Sequence, residues 1–269
     1  MSACDSCPSK EGCASQENCP SKNGNIKKVI GIASGKGGVG KSFVTSVLAA
    51  KLASRGLKVG IMDADITGPS IPKAFGLSEI LTANEENRIM PAVTKGGIKA
   101  VSLNLLMDDP ESPVIWRGPV ISGLVKQFWT DVEWGTLDVL LIDMPPGTGD
   151  VPLTVFQSVP VDGIVLVSTP QDLVSMIVGK ARNMARMMNV NILGLVENMS
   201  YIKCPDCDRV IPLFGDDSKL QAACDAEGIP LLDKLPLDVT STSAVDNGDA
   251  ESLGEGILDN TAALIEGML

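Results

Sequence analysis

The stretch "SGKGGVGKSFVTS", Ser34 to Ser46, decides the fold. It follows "KKVIGIAS" (Lys27 to Ser34), a short apolar, β-branched run that reads as a buried strand. It leads into Lys41 to Arg55, where apolar residues recur at helical spacing until Gly56. Between strand and helix, Gly35, Gly40, Lys41 and Ser42 satisfy G-x-x-x-x-G-K-[ST], and Gly37, Gly38, Val39 and Phe43 complete the segment. The glycines let backbone N–H groups wrap phosphates, and the helix N-terminus adds a favourable dipole. In such a loop Lys41 reaches the β- and γ-phosphates and Ser42 ligates Mg²⁺. Lys36 is a second lysine beyond what the cradle needs, placed where its side chain can project away from its own phosphates.

Further along, "KVGIMDAD", "LDVLLIDMPPGTGD" (Leu137 to Asp150), "DGIVLVSTP" and "NILGLVENM" read as more buried strands, with helical stretches between them, notably Leu173 to Met188. Near-continuous apolar strands alternating with helices predict an α/β fold: a mostly parallel sheet with helices on both faces. Arg88 to Leu106 reads as a hairpin insertion around Gly96 and Gly97, and Tyr201 to Phe214 as two short extended pieces joined by a Cys-Pro-Asp-Cys turn. A last helix is expected in "GILDNTAALIEGML". The chain thus divides into a cysteine-rich arm, residues 1–25, and one domain over 26–269 carrying a C-x-x-C insert near 201–214.

Composition narrows the function. The 269 residues carry a net charge of -11, which argues against a sequence-independent grip on nucleic acid. No apolar run is long enough to span a bilayer, and the N-terminus lacks a basic-then-apolar leader, so a cytoplasmic protein is expected. There is no histidine, so a transition-metal site must rest mainly on thiolate and a side-chain base for water must be a carboxylate or similar group. Asp63 and Asp65 lie at and just past a strand's C-terminal end, where α/β sheets bind ligands, and Asp143 ends a buried strand, as a carboxylate near Mg²⁺ should. The bland alternative for Asp63 and Asp143 is a capping or turn role.

The cysteine count, 7, is odd, and the cysteines cluster, which favours metal over a disulfide framework. Cys204 and Cys207 have the spacing to share one centre but supply only two ligands of the usual four. Cys4, Cys7, Cys13 and Cys19 are enough for a complete site in one arm, holding either iron–sulfur or zinc, or three ligands plus an outside one. Cys224, alone in a helical stretch, reads as a small buried hydrophobe.

"GKGGVGKS" resembles the deviant Walker A loop of the MinD, ParA, ArsA and nitrogenase iron-protein superfamily. There the lysine matching Lys36 crosses a dimer interface to the partner's nucleotide. The resemblance implies an ATP-dependent homodimer with Lys36, Lys41 and Asp65 as catalytic residues. Asp65 would be the switch carboxylate that positions the attacking water, and Pro145 to Gly149 would be a segment answering to the γ-phosphate. Asn198 matches the position that hydrogen-bonds adenine.

Adding "DADITGPSIP", "WRGP", "DMPPGTGD", "TPQD", "ENMS" and the C-x-x-C motif, the chain resembles the Mrp/ApbC-type iron–sulfur carrier ATPases from about Lys27 to Asp238. That implies a 4Fe-4S cluster held on the two-fold axis by Cys204 and Cys207 of both chains, a cluster donor, and apoprotein clients. The C-x₂-C-x₅-C spacing of the arm resembles the N-terminal cluster motif of the cytosolic scaffold branch, with Cys19 as the proposed fourth ligand. The sequence departs from the pattern at "DDSKLQAACDAEG", where a glycine-rich stretch is expected, and at "VTSTSAVDNGDAE", where a basic one is expected. Three rivals remain. A MinD/ParA-like positioning ATPase would need a basic membrane helix or DNA-binding surface, yet no Lys or Arg follows Lys234. A nitrogenase-type reductase uses single cysteines. A zinc-stabilised ATPase is separable by metal analysis. Arg117, in "WRGP", carries no assigned role.

Overall fold

The computed structural model describes residues 25–65, 70–106, 118–147, 149–170, 179, 182–183, 185–214 and 218–269. Cys4, Cys7, Cys13, Cys19, Arg117 and most of the helix expected over Leu173 to Met188 lie outside the described residues.

In chain order the elements are β1 (Ile26–Ser34), α1 (Lys41–Ser54), β2 (Val59–Asp63), α2 (Ser70–Ala74), β3 (Ala92–Val93), β4 (Lys99–Ser102), α3 (Gly118–Thr130), β5 (Leu137–Asp143), α4 (Asp150–Ser158), β6 (Gly163–Ser168), β7 (Ile192–Lys203), β8 (Val210–Pro212), α5 (Ser218–Glu227), β9 (Leu231–Pro236), α6 (Val239–Asp246) and α7 (Asp259–Glu266). The strands form one sheet in the order β3-β4-β2-β5-β1-β6-β7-β8, with β9 also paired to β7. β4, β2, β5, β1, β6, β7 and β9 run parallel to their neighbours in that stack, while the β3–β4 and β7–β8 pairs are antiparallel.

The continuous apolar strands feed two cores because successive side chains point to opposite faces. Ile30 and Ile32 of β1, with Val139 and Leu141 of β5, pack under α1 against Val44, Val47, Leu48 and Leu52. Val29 and Ala33, with Leu140 and Ile142, pack on the other face against Val125, Phe128 and Trp129 of α3 and Val155 of α4. Burial on both faces explains why these strands read as unbroken apolar runs. α1 is itself covered: Lys51 Nζ lies 2.6 Å from Asp259 Oδ1, and Arg55 reaches Asp259 and Glu266 of α7 at 2.9 and 2.7 Å. The Lys51 ammonium holds the Asp259 carboxyl below its ordinary range.

The Gly96–Gly97 hairpin exists, with Gly97 at φ +86°, but it is no insertion: its second strand, β4, extends the main sheet parallel to β2. Unforeseen were β9 and α6. The latter starts at a capping signal: Asp238 accepts from Ser241 N–H and Ser241 Oγ, each at 2.7 Å. Those bonds hold the Asp238 carboxyl below its ordinary value. The cap's stabilisation is therefore present at neutral pH and is lost as pH falls through the lowered folded-state value. Asp238→Ala is expected to cost ~1 kcal/mol, read as a lower denaturation midpoint at pH 7 whose deficit shrinks in acid. No helix of the described residues is long and apolar enough to cross a membrane.

Candidate functional site

Parallel pairing aligns the C-terminal ends of β1, β2, β5, β6 and β7 along one edge of the sheet. Chain order reverses across β1, whose neighbours are β5 and β6, and α/β sheets bind ligands at such a point. The loop Gly35 to Gly40 leaves β1 there. Gly38 and Gly40 both sit at φ +78°, in the left-handed region that favours glycine. A Cβ on Gly40 would also collide with Asn198 Nδ2. Gly40 caps α1 with no side-chain bond, so the first N–H groups of that helix are available to an anion. Ser34 Oγ donates to Lys36 O at 3.0 Å, and Gly147 N–H donates to Ser34 O at 2.8 Å, tying the Pro-Pro-Gly segment to the loop.

Asp143 gathers the charge and hydroxyl groups. Its buried carboxylate lies 2.7 Å from Lys41 Nζ and accepts from Ser42 Oγ at 2.6 Å and Thr45 Oγ1 at 2.7 Å. Lys41 Nζ is also 3.5 Å from Asp65 Oδ2. Asp63 is the cross-strand partner of Asp143, and Ser102 Oγ donates to it at 2.8 Å. Burial above all, then the neighbouring Asp143 charge, pushes the Asp63 carboxyl well above the usual carboxylate range. So Lys41, Ser42, Asp63, Asp65 and Asp143, named from separate motifs, are brought together. Thr45 was missed, although one turn of helix puts it on the same face as Lys41 and Ser42. Val39 is buried, and its carbonyl accepts from Asn198 Nδ2 at 2.9 Å, which brings the middle of β7 against the loop.

A cavity of about 430 Å³ opens on the loop, lined by Gly37 to Phe43, Asp65 and Pro146 and walled by Lys73 of α2 and Asp246 of α6. Ser42 Oγ and the Asp65 and Asp143 carboxylates form an all-oxygen donor set, which suits Mg²⁺ rather than a soft metal.

The cysteines sit elsewhere. β7 continues past Asn198 to Lys203, and the chain turns through Cys204 to Arg209 into β8. Cys204 N–H donates to Arg209 O at 2.9 Å, and Asp208 N–H to Cys204 O at 3.0 Å. Cys204 is half-buried and Cys207 exposed. Backbone N–H groups of Asp206 and Cys207, and the Cys207 thiol, hold the Cys204 thiol below its ordinary value. Among the described residues no group of three or more His, Cys, Asp or Glu is placed to hold a metal ion. The hairpin tip therefore offers two thiols and no completing ligand. Ile202, Val210, Ile211 and Phe214 leave an exposed apolar collar around it. Cys224 is fully buried in α5, and burial pushes its thiol up to about 11. Among these three thiols, iodoacetamide at neutral pH is expected to modify Cys204 and Cys207 and to spare Cys224 until the protein unfolds, as read by peptide mass spectrometry.

Residues 25–264 match the family model of NUBPL iron-transfer P-loop NTPases. An iron-sulfur cluster carrier protein of Clostridium perfringens is 48% identical over 93% of this chain and 94% of its own length. A nucleotide-binding protein from Archaeoglobus fulgidus, solved in complex with ADP, is 40% identical and superposes with a TM-score of 0.79 over 90% of this chain and 94% of that one. The cell division ATPase MinD of Pyrococcus furiosus, 22% identical with a TM-score of 0.61 over 90% of this chain and all of that one, shares the fold alone. A phosphate cradle on an α/β sheet, matched along nearly the whole chain, thus places this protein in the NUBPL iron-transfer P-loop NTPase family.

Proposed function

We propose that this chain is an ATP-hydrolysing carrier that binds a 4Fe-4S cluster as cargo and passes it to apoproteins, working as a homodimer. The observation that carries the reading is the course of β7. One strand touches the phosphate loop through Asn198 and Val39, then presents Cys204 and Cys207 at its far end. Any nucleotide-driven shift of Asn198 is transmitted along that strand to the thiols.

The loop amides and α1 N-terminus bind the phosphates, and Lys41 neutralises them after exchanging carboxylate for phosphate oxygen. Ser42 and Asp143 would hold Mg²⁺, which when bound would supply neutralisation of phosphate charge. Asp65 orients the attacking water, and Asn198 reads adenine. Lys36 reaches the partner's nucleotide. Two hairpins meeting on a two-fold axis bring four thiolates together, and the apolar collar of Ile202, Val210 and Ile211 becomes buried between them. The arm cysteines Cys4, Cys7, Cys13 and Cys19 hold a second centre. Reduced thiols at both places require a reducing compartment, which favours the cytoplasm.

The test is transfer of a reconstituted cluster to an apoenzyme that needs a 4Fe-4S cluster for activity. Wild-type protein should restore activity in a nucleotide-dependent manner. Restoration at the same rate by Cys204→Ser would remove the hairpin from the carrier role.

A further inference from the structure

The charged residues lining the phosphate-loop cavity are Lys41, Asp65, Lys73 and Asp246. The first two belong to the site already described. Lys73 and Asp246 form a pair of their own, with Nζ 2.7 Å from Oδ1. Lys73 stands in α2, which begins five residues after Asp65, and Asp246 ends α6. The two elements are locked together just beyond the pair. Gly76 and Gly248 meet at φ +62° and +76°, and a Cβ on Gly248 would lie 2.7 Å from Gly76 Cα. This backbone contact, not the ion pair, fixes the cavity wall. The pair is 60% and 58% exposed, and an ion pair so open to solvent adds little to stability.

Its position is more informative than its strength. A long-stemmed ammonium stands on the wall of a phosphate cavity, resting on a single screened carboxylate. A polyphosphate carries more charge and more acceptor oxygens than that carboxylate, so it is the stronger partner for the same ammonium. We propose that Lys73 is a further phosphate-binding cation of this cavity, and that Asp246 sets its availability by competing with the nucleotide for it. Binding exchanges Asp246 for phosphate oxygen at Lys73 Nζ. The inference rests on the reading of the cavity as the ATP site.

A staple and a competitor give opposite signs, which makes the test sharp. ATP·Mg²⁺ affinity is measured by calorimetry on the full chain for wild type, Lys73→Met, Asp246→Asn and the double variant, with adenosine as the uncharged control. Lys73→Met should weaken ATP binding about fivefold, and Asp246→Asn should tighten it about threefold, in keeping with a solvent-screened charge pair. The gain from Asp246→Asn should vanish in the Lys73→Met background, and adenosine affinity should not move in any variant. Weakening by both single substitutions would make the pair a structural strap and overturn the inference. A gain that persists without Lys73 would reduce Asp246 to a bystander charge and overturn it too. ATP binding that none of the substitutions moves defeats this inference alone, whereas a wild type that binds no ATP defeats the reading of the cavity with it.

Discussion

Lys41→Ala is expected to lower ATP turnover by about a thousandfold or more, the scale seen when a preorganised cation is taken from a phosphoryl-transfer site. Lys41 is nearly fully buried, 2.7 Å from Asp143 and 3.5 Å from Asp65. Removing it deletes the cation meant for the phosphates. It also leaves the Asp143 charge beside Asp63 with, among the described residues, the Ser42 and Thr45 hydroxyls alone to answer it, so the site then repels the substrate. Lys36→Ala separates the roles of the two lysines. Lys36 stands in the first half of the loop, half-buried, before the left-handed Gly38 and Gly40 that shape the cradle. Its loss should leave ATP affinity within about tenfold while turnover falls about a hundredfold, because a contact across subunits is made chiefly where charge develops. Normal hydrolysis by Lys36→Ala, followed as phosphate release, would end the cross-subunit role.

Cys204→Ser is the second large effect. The residue sits at a hairpin tip held by backbone bonds from Cys204 N–H and Asp208 N–H, neither of which needs the sulfur. Stability should change by about 0.5 kcal/mol or less, as for a surface substitution that touches no core. Cluster binding at the hairpin should nonetheless be lost, because serine does not replace a low-lying thiolate toward iron and, among the described residues, each hairpin brings only two thiols and no further ligand. In a symmetric dimer one substitution removes two of four ligands. Sedimentation of reconstituted protein should show the cluster-linked dimer in wild type and its loss in the variant, while the cluster-free forms of the two should melt within about 2 °C of each other.

Much of this was legible because the sheet is buried on both faces. β1, β2, β5 and β6 announce themselves as apolar runs, and α1 is fixed by what precedes and follows it. The carboxylates were legible because each ends such a run. β9 was not, because Asp233 and Lys234 interrupt its pattern. Their reasons lie far away in sequence: Asp233 accepts from Thr261 N–H at 2.8 Å, and Lys234 faces the buried Glu197 at 3.5 Å. α6 is not legible, although Asp238 and Ser241 carry a capping signal, because Val239 to Ser243 are β-branched or small polar residues of low helix propensity and the helix buries no residue that would set a helical period. Arg88 to Leu106 reads as an insertion because β4 is only four residues long, and a short strand shows no periodicity that would tie it to β2. The Asn198–Val39 contact and the Lys73–Asp246 pair join residues more than 150 positions apart, and no local pattern marks either.

Metal analysis decides whether the hairpin thiols carry an iron–sulfur cluster. Iron, labile sulfide and zinc are counted per chain on anaerobically reconstituted protein, wild type beside Cys204→Ser, with the arm cysteines replaced by serine in both. About two iron and two sulfide per chain, one 4Fe-4S cluster per dimer, are expected in the first and neither in the second. Zinc without sulfide in the first, or equal iron in both, would take the cluster away from the hairpin thiols.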